Sequence, residues 1–286
     1  MGAIFRHELR NYFHSLTAYV FGAFLLAVVG LGSVLYNLQA AVSNFEFVLS
    51  FASIIFVVIV PILTMRTLAE ERRQRTDQLL YSLPITTTQV VLGKYFALLV
   101  VYLIPLAVVS LYPLLFSQFG EVYLPTSYGS LFAFFMMGAA LLAVGMFLSL
   151  TDNQGFAAGI GIAAILLNYY SVSLAEYTSS TAMGSLIALY VIALLLGVVI
   201  HNLTRNENLA YGVTLVLIAA LSVAYFVNSS AFEGLLPDIM TKLSLFRQFN
   251  SFVNGAFDLT AIVYYVSVMG FFLFLSVQSM EKRRYN

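Results

Sequence analysis

The sequence predicts an all-α integral membrane protein, a polytopic helical bundle with an N-terminal amphipathic interfacial helix and a charged cytoplasmic helix between its second and third spans. Three observations carry that expectation. First, 61% of the 286 residues are hydrophobic and 9% are charged, against about 25% charged residues in a soluble domain. Second, thirteen basic and thirteen acidic side chains cancel to a net charge of zero, a balance at which a soluble chain with this much apolar surface would precipitate. Third, the apolar residues fall in continuous runs near the length of about 20 residues that a helix needs to cross the hydrocarbon. The alternating pattern of a membrane β-barrel is missing.

Together these exclude a water-soluble globular enzyme, a disordered chain and a nucleic-acid binder that works through a basic field. Cysteine is absent, so there is no disulfide, thiolate metal site or cysteine nucleophile. Tryptophan is absent too, which leaves 18 Tyr and 25 Phe to supply any aromatic belt.

Eight runs read as spans of a single transmembrane domain covering residues 1–286: about 17–38, 45–65, 90–116, 130–150, 156–174, 182–200, 210–228 and 261–278. The first is too long for the core of a signal peptide and reads as an uncleaved span. With the N-terminus in the cytoplasm of a cell-membrane protein, the inner segments hold Arg6, Arg10, Arg66, Arg72, Arg73, Arg75, Lys94, Arg205, Lys282, Arg283 and Arg284. The other face holds only Lys242 and Arg247. This asymmetry puts both termini inside, which needs an even number of spans.

Residues 2–16 form the predicted interfacial helix. Phe5, Leu9, Tyr12, Phe13 and Leu16 recur at helical spacing, and Arg6, His7, Glu8, Arg10, Asn11 and His14 fill the other face. Pro61, Pro105 and Pro113 are expected to kink spans two and three. Gly155-x-x-x-Gly159 and Gly161 offer small faces for close helix approach. The segment at about 229–260 reads as one or two short helices at the outer interface.

Residues 66–89 carry the densest charge. Arg66, Glu70, Glu71, Arg72, Arg73, Arg75 and Asp77 are followed by Leu79, Leu80, Tyr81 and Leu83. Glu71 and Arg75 form an i, i+4 pair suited to a solvated helix. Pro84 ends that helix, and Thr86-x-x-Gln89 has the form of a capping box that opens the next span. A connector needs only a few polar residues, so charged and apolar surfaces side by side point to docking.

At this stretch the chain resembles the membrane subunit of ABC type-2 transporters. The matching residues are Met65-Arg66-Thr67-Leu68-Ala69-Glu70-Glu71-Arg72, then Thr76 to Leu80, Ser82 to Thr86 and Gly93-Lys94-Tyr95. Phe246-Arg247-Gln248-Phe249, Asn254-Gly255-x-x-Asp258-Leu259 and the basic end Glu281 to Arg284 are similar to the subset that includes the gliding-motility permease. The resemblance implies that the helix at about 67–83 is a coupling helix seated in a cytoplasmic ATPase. Glu70, Glu71, Arg72, Arg73, Arg75 and Asp77 would guide docking there, with Leu79 and Leu80 as apolar anchors. It implies ATP and Mg in that partner subunit, a second permease chain (homodimer or related chain), and export. The family usually has six spans, so the hairpin at about 182–228 is either an insertion or a miscount.

The chain itself lacks Gly-x-x-x-x-Gly-Lys-Ser/Thr, His-Glu-x-x-His and Gly-x-Ser-x-Gly. No catalytic, cofactor-binding or metal-ligating residue is expected in it. Charges cluster at the ends of the runs, which argues against ion coupling. Asn168, Tyr169 and Ser171 are candidate path-lining residues, although helix-helix hydrogen bonds also account for them. The turn at Asp152, Asn153 and Gln154 is a candidate second docking loop. The alternatives to an ATP-driven permease are an ion-coupled secondary carrier and a membrane scaffold or signalling subunit.

Overall fold

The computed structural model describes residues 1–69, 86–151, 153–204 and 207–285. The described residues are helical, with no strand among them. In chain order the helices are α1 (Gly2–His14), α2 (Leu16–Ser33), α3 (Phe45–Ser53), α4 (Phe56–Thr64), α5 (Thr87–Val109) and α6 (Leu111–Phe116). They continue as α7 (Leu124–Leu148), α8 (Gln154–Tyr177), α9 (Ala182–Thr204), α10 (Glu207–Val227), α11 (Leu235–Lys242), α12 (Leu245–Val253) and α13 (Leu259–Tyr285). A π-helical turn, Val34–Gln39, prolongs α2.

Six stretches are long and apolar enough to cross a membrane as they stand: Leu16–Gln39, Thr87–Phe116, Leu124–Leu148, Gln154–Tyr177, Glu207–Val227 and Leu259–Lys282. The run at 45–65 is a pair, α3 and α4, bent by 57°. The run at 182–200 is helical too, but its apolar part, Ala182–Val198, is shorter than the others. The runs at 182–228 are therefore a real pair of helices.

The expected proline kinks occur only in part. Span two breaks at Ile54 and Ile55, upstream of Pro61. There the Ser53 hydroxyl donates to the Ser50 carbonyl at 2.7 Å, and the tightened bond Ile55 N–H to Ala52 O spans 3.1 Å. A serine bonding back into its own turn bends a helix in this way. Pro105 lies inside an unbroken α5, packed near Gly22. The break at Ser110 fits Pro113, whose ring crowds the carbonyl four residues before it.

The fold divides into two compact units, residues 1–169 with 248–286, and residues 170–247. In the first unit α7 is central, and α13 packs along it. Helix association in lipid gains little from apolar burial and rests on close packing and hydrogen bonds. Both are present. The Tyr95 hydroxyl donates to the Ala139 carbonyl at 2.9 Å, and the Tyr102 hydroxyl to Phe134 O at 2.8 Å. Gly145 faces Thr64, and Gly161 faces Pro61, where an added Cβ would fall 3.1 Å from Pro61 Cβ. Gly159 of the Gly-x-x-x-Gly pair has open space around it. Phe56, Phe134 and Phe249 pack ring to ring, the first pair tilted and the second edge-to-face, with ring centroids 4.7 and 5.8 Å apart.

The second unit is built on the α9–α10 pair. Tyr190 and Ser222 share a hydroxyl–hydroxyl bond of 2.6 Å across it, and Gly197 leaves room for Thr214. A turn through Gly234, at φ +70°, ties its N–H to Ser180 O at 2.8 Å and leads into α11. That positive φ favours glycine.

Candidate functional site

The residues expected to dock an ATPase, Glu70, Glu71, Arg72, Arg73, Arg75, Asp77, Leu79 and Leu80, lie outside the described residues, as does Asp152. What the structure does place is the two flanks of that segment, and both are held by α1.

Upstream, Thr67 follows the end of α4. It is buried, and its hydroxyl bonds the Tyr12 hydroxyl of α1 at 3.2 Å. Downstream, Thr86 caps α5 by accepting the Gln89 N–H at 3.3 Å, as the capping-box pattern predicts. Two turns further in, Gly93 lets α1 approach closely, since a Cβ there would meet Ile4 Cγ2 at 3.0 Å. Lys94 beside it is 2% exposed and donates to Glu8 Oε1 of α1 at 2.7 Å. A third tie closes the group. Thr87 Oγ1 donates to Glu281 Oε1 near the end of α13 at 2.8 Å. Both ends of the chain and both flanks of residues 70–85 thus meet at one end of the first unit.

This corrects the expected polar face of α1. Arg6, His7, Arg10, Asn11 and His14 are exposed as expected, but Glu8 turns inward with 13% exposure. The signal was in the spacing. Ile4, Glu8 and Tyr12 recur every four residues, so Glu8 lies within the inward stripe. In the sequence Lys94 is an inner-face charge within Gly93-Lys94-Tyr95, and nothing local to it shows that it is paired.

At the other end of span two, Glu46 is 1% exposed. Its Oε1 accepts from Ser127 Oγ at 3.0 Å, and its Oε2 has no hydrogen-bond partner among the described residues. Glu46 and Lys94 do lie near the ends of their runs, yet both are buried rather than solvated.

The other candidates are separated. Asn153 caps α8, its Oδ1 accepting the Gly155 and Phe156 N–H groups at 2.9 and 3.4 Å. Its side chain is exposed, and Gln154 is half-buried. Asn168, Tyr169 and Ser171 are half-buried on α8. No cluster of His, Asp and Glu able to hold a metal occurs among the described residues.

These features define a polytopic helical membrane protein whose buried polar groups tie helices together. Residues 25–174, just over half of the chain, match the family model described as ABC-2 family transporter protein, and the chain belongs to that family. The match runs from Leu25 in α2 to Leu174 in α8 and includes the whole charged segment. The chain is therefore an ABC permease, a membrane transport subunit of a kind that typically works with a cytoplasmic ATPase. No curated protein and no solved structure matches it.

Proposed function

We propose that this chain is the permease subunit of an ATP-driven exporter in the cell membrane, similar to the gliding-motility permease subset. Two permease chains pair, and each docks a separate ATPase, which binds ATP and Mg, through the helix at about 67–83. Glu70, Glu71, Arg72, Arg73, Arg75 and Asp77 guide docking, with Leu79 and Leu80 as anchors. The turn at Asp152, Asn153 and Gln154 makes a second contact. Asn168, Tyr169 and Ser171 line the path.

The observation that carries this reading is the family match across residues 25–174, because it spans the charged segment and the helices on both sides of it. The basic residues of that segment, of α1 and of the C-terminal end set the sidedness, with both termini in the cytoplasm. That Tyr12, Lys94 and Glu281 all bond around the same segment supports one face for both ends.

The test is a double charge reversal, Glu71→Lys with Arg73→Glu. The expected result is normal membrane insertion with loss of the co-purifying ATPase and of its permease-dependent hydrolysis. Retention of both would overturn the docking assignment. Co-purification of an ATPase whose hydrolysis never responds to the permease would favour the scaffold reading instead.

A further inference from the structure

We propose that Glu46, at the start of span two, holds a monovalent alkali cation, with Ser127 and Asn37 as further oxygen ligands. Glu46 is 1% exposed, and its Oε2 has no hydrogen-bond partner among the described residues. Its one described bond comes from a neutral group, Ser127 Oγ at 3.0 Å. No ion pair joins it to another described residue. Helices α2, α6 and α7 and the π-helical turn Val34–Gln39 pack against α3, and none of them carries Lys, Arg or His. Glu46 stands in the first turn of α3, where the helix dipole favours the ionised form but offsets only part of a charge. A buried carboxylate with no counter-charge is strongly disfavoured. The missing charge must come from outside the chain.

A second buried oxygen points to the same ligand. Asn37 Oδ1, in the π-helical turn that packs against α3, also has no partner among the described residues. Its amide is held by Nδ2 donating to Val42 O at 2.7 Å, which leaves Oδ1 as an acceptor. Two acceptors cannot satisfy each other. Ser127 Oγ has given its proton to Oε1 and keeps lone pairs of its own. Such oxygens are the ligands that hard cations take. One monovalent ion neutralises Glu46, whereas a divalent ion would leave a positive charge buried. A buried water would satisfy Oε2 and leave the charge in place. Bound there, the ion ties the outer ends of spans one and two to α7.

The test uses the full chain purified in detergent and exchanged into choline chloride. Other chloride salts are compared with choline at equal ionic strength, so that screening does not differ. Sodium or potassium at about 150 mM is expected to raise the unfolding midpoint by at least about 3 °C, and the rise should grow with concentration. Radiolabelled sodium is expected to bind at about one ion per chain. Glu46→Gln keeps the shape without the charge and is expected to abolish both effects. Glu46→Met with Ser127→Ala, which leaves neither polar group behind, replaces it if the Gln variant does not insert. Glu121→Gln alters an exposed carboxylate and is expected to change neither effect. Asn37→Asp adds a second carboxylate and is expected to make calcium stabilising, a gain that mere loss of packing does not give. No calcium response in that variant would remove Asn37 from the ligand set. A wild-type chain that binds no sodium and unfolds alike in all salts, the result expected if a water satisfies Oε2, overturns the proposal. So does sodium binding that survives the loss of Glu46, or a wild-type response to calcium alone.

Discussion

The Tyr102 ring lies across Gly138. A Cβ on that glycine would fall 2.5 Å from the Tyr102 hydroxyl oxygen and 2.6 Å from ring carbons. The hydroxyl reaches past it to Phe134 O at 2.8 Å. This contact locks α5 to α7 at the centre of the first unit, where Tyr102 and Phe134 are fully buried. Gly138→Ala is therefore expected to destabilise by about 1–3 kcal/mol through overpacking. Tyr102→Phe is expected to cost about 0.5–1.5 kcal/mol for the lost bond. Because the hydroxyl is the nearest clash, the double variant should cost less than the sum. Thermal unfolding of the purified chain in detergent checks all three, and strict additivity would refute the contact.

Glu46 and Ser127 give a second prediction. The carboxyl group has one described partner, Ser127 Oγ at 3.0 Å, and it is buried. Ser127→Ala leaves that group without it and is expected to cost about 1–3 kcal/mol. Glu46→Met with Ser127→Ala removes both polar partners and is expected to recover most of the loss. A double variant less stable than Ser127→Ala alone would show that the carboxyl does more than bond Ser127.

Much of the fold was legible because spans are long and apolar, and the hydrocarbon sets their length. The runs at 17–38 and 210–228 lie on Leu16–Gln39 and Glu207–Val227 within a few residues. The position of the break in span two was not legible. A serine hydroxyl bonding its own backbone leaves no signal that separates Ser53 from the chain's other serines, whereas proline announces itself. The pairing of Glu8 with Lys94 was half legible. The four-residue stripe marks Glu8 as inward, but a partner 86 residues away is set by packing. The division of the helices between two units also arises from packing, which a composition that stays apolar throughout does not mark.

Asn153 lets the observed cap be tested apart from the proposed docking contact. Its Oδ1 is engaged by the Gly155 and Phe156 N–H groups, while the side chain remains exposed. Asn153→Ala removes the cap and is expected to destabilise by about 0.5–2 kcal/mol. Asn153→Asp keeps an equally good cap but replaces the amide donor with a carboxylate. It is expected to leave the unfolding midpoint unchanged and to weaken the ATPase contact, read as less co-purifying ATPase. Full retention of the ATPase by the Asp variant would remove Asn153 from the docking surface.

Thr87 and Glu281 make the last prediction. Thr87 stands in the first turn of α5, directly after the charged segment, and is 4% exposed. Its hydroxyl donates to Glu281 of α13 at 2.8 Å, a short bond of the charge-assisted kind when the carboxylate is ionised. Such bonds contribute about 1.5–3 kcal/mol. Thr87→Val keeps the shape of the side chain and deletes the donor, so it is expected to cost most of that. Thr87→Ser keeps the donor and loses one methyl, so it is expected to cost about 1 kcal/mol or less. Glu281→Gln retains an acceptor without the charge and should fall between them. Unfolding midpoints in that order, Ser above Gln above Val, would follow from the bond. Equal midpoints for the Ser and Val variants would mean that the end of α13 is held by packing alone.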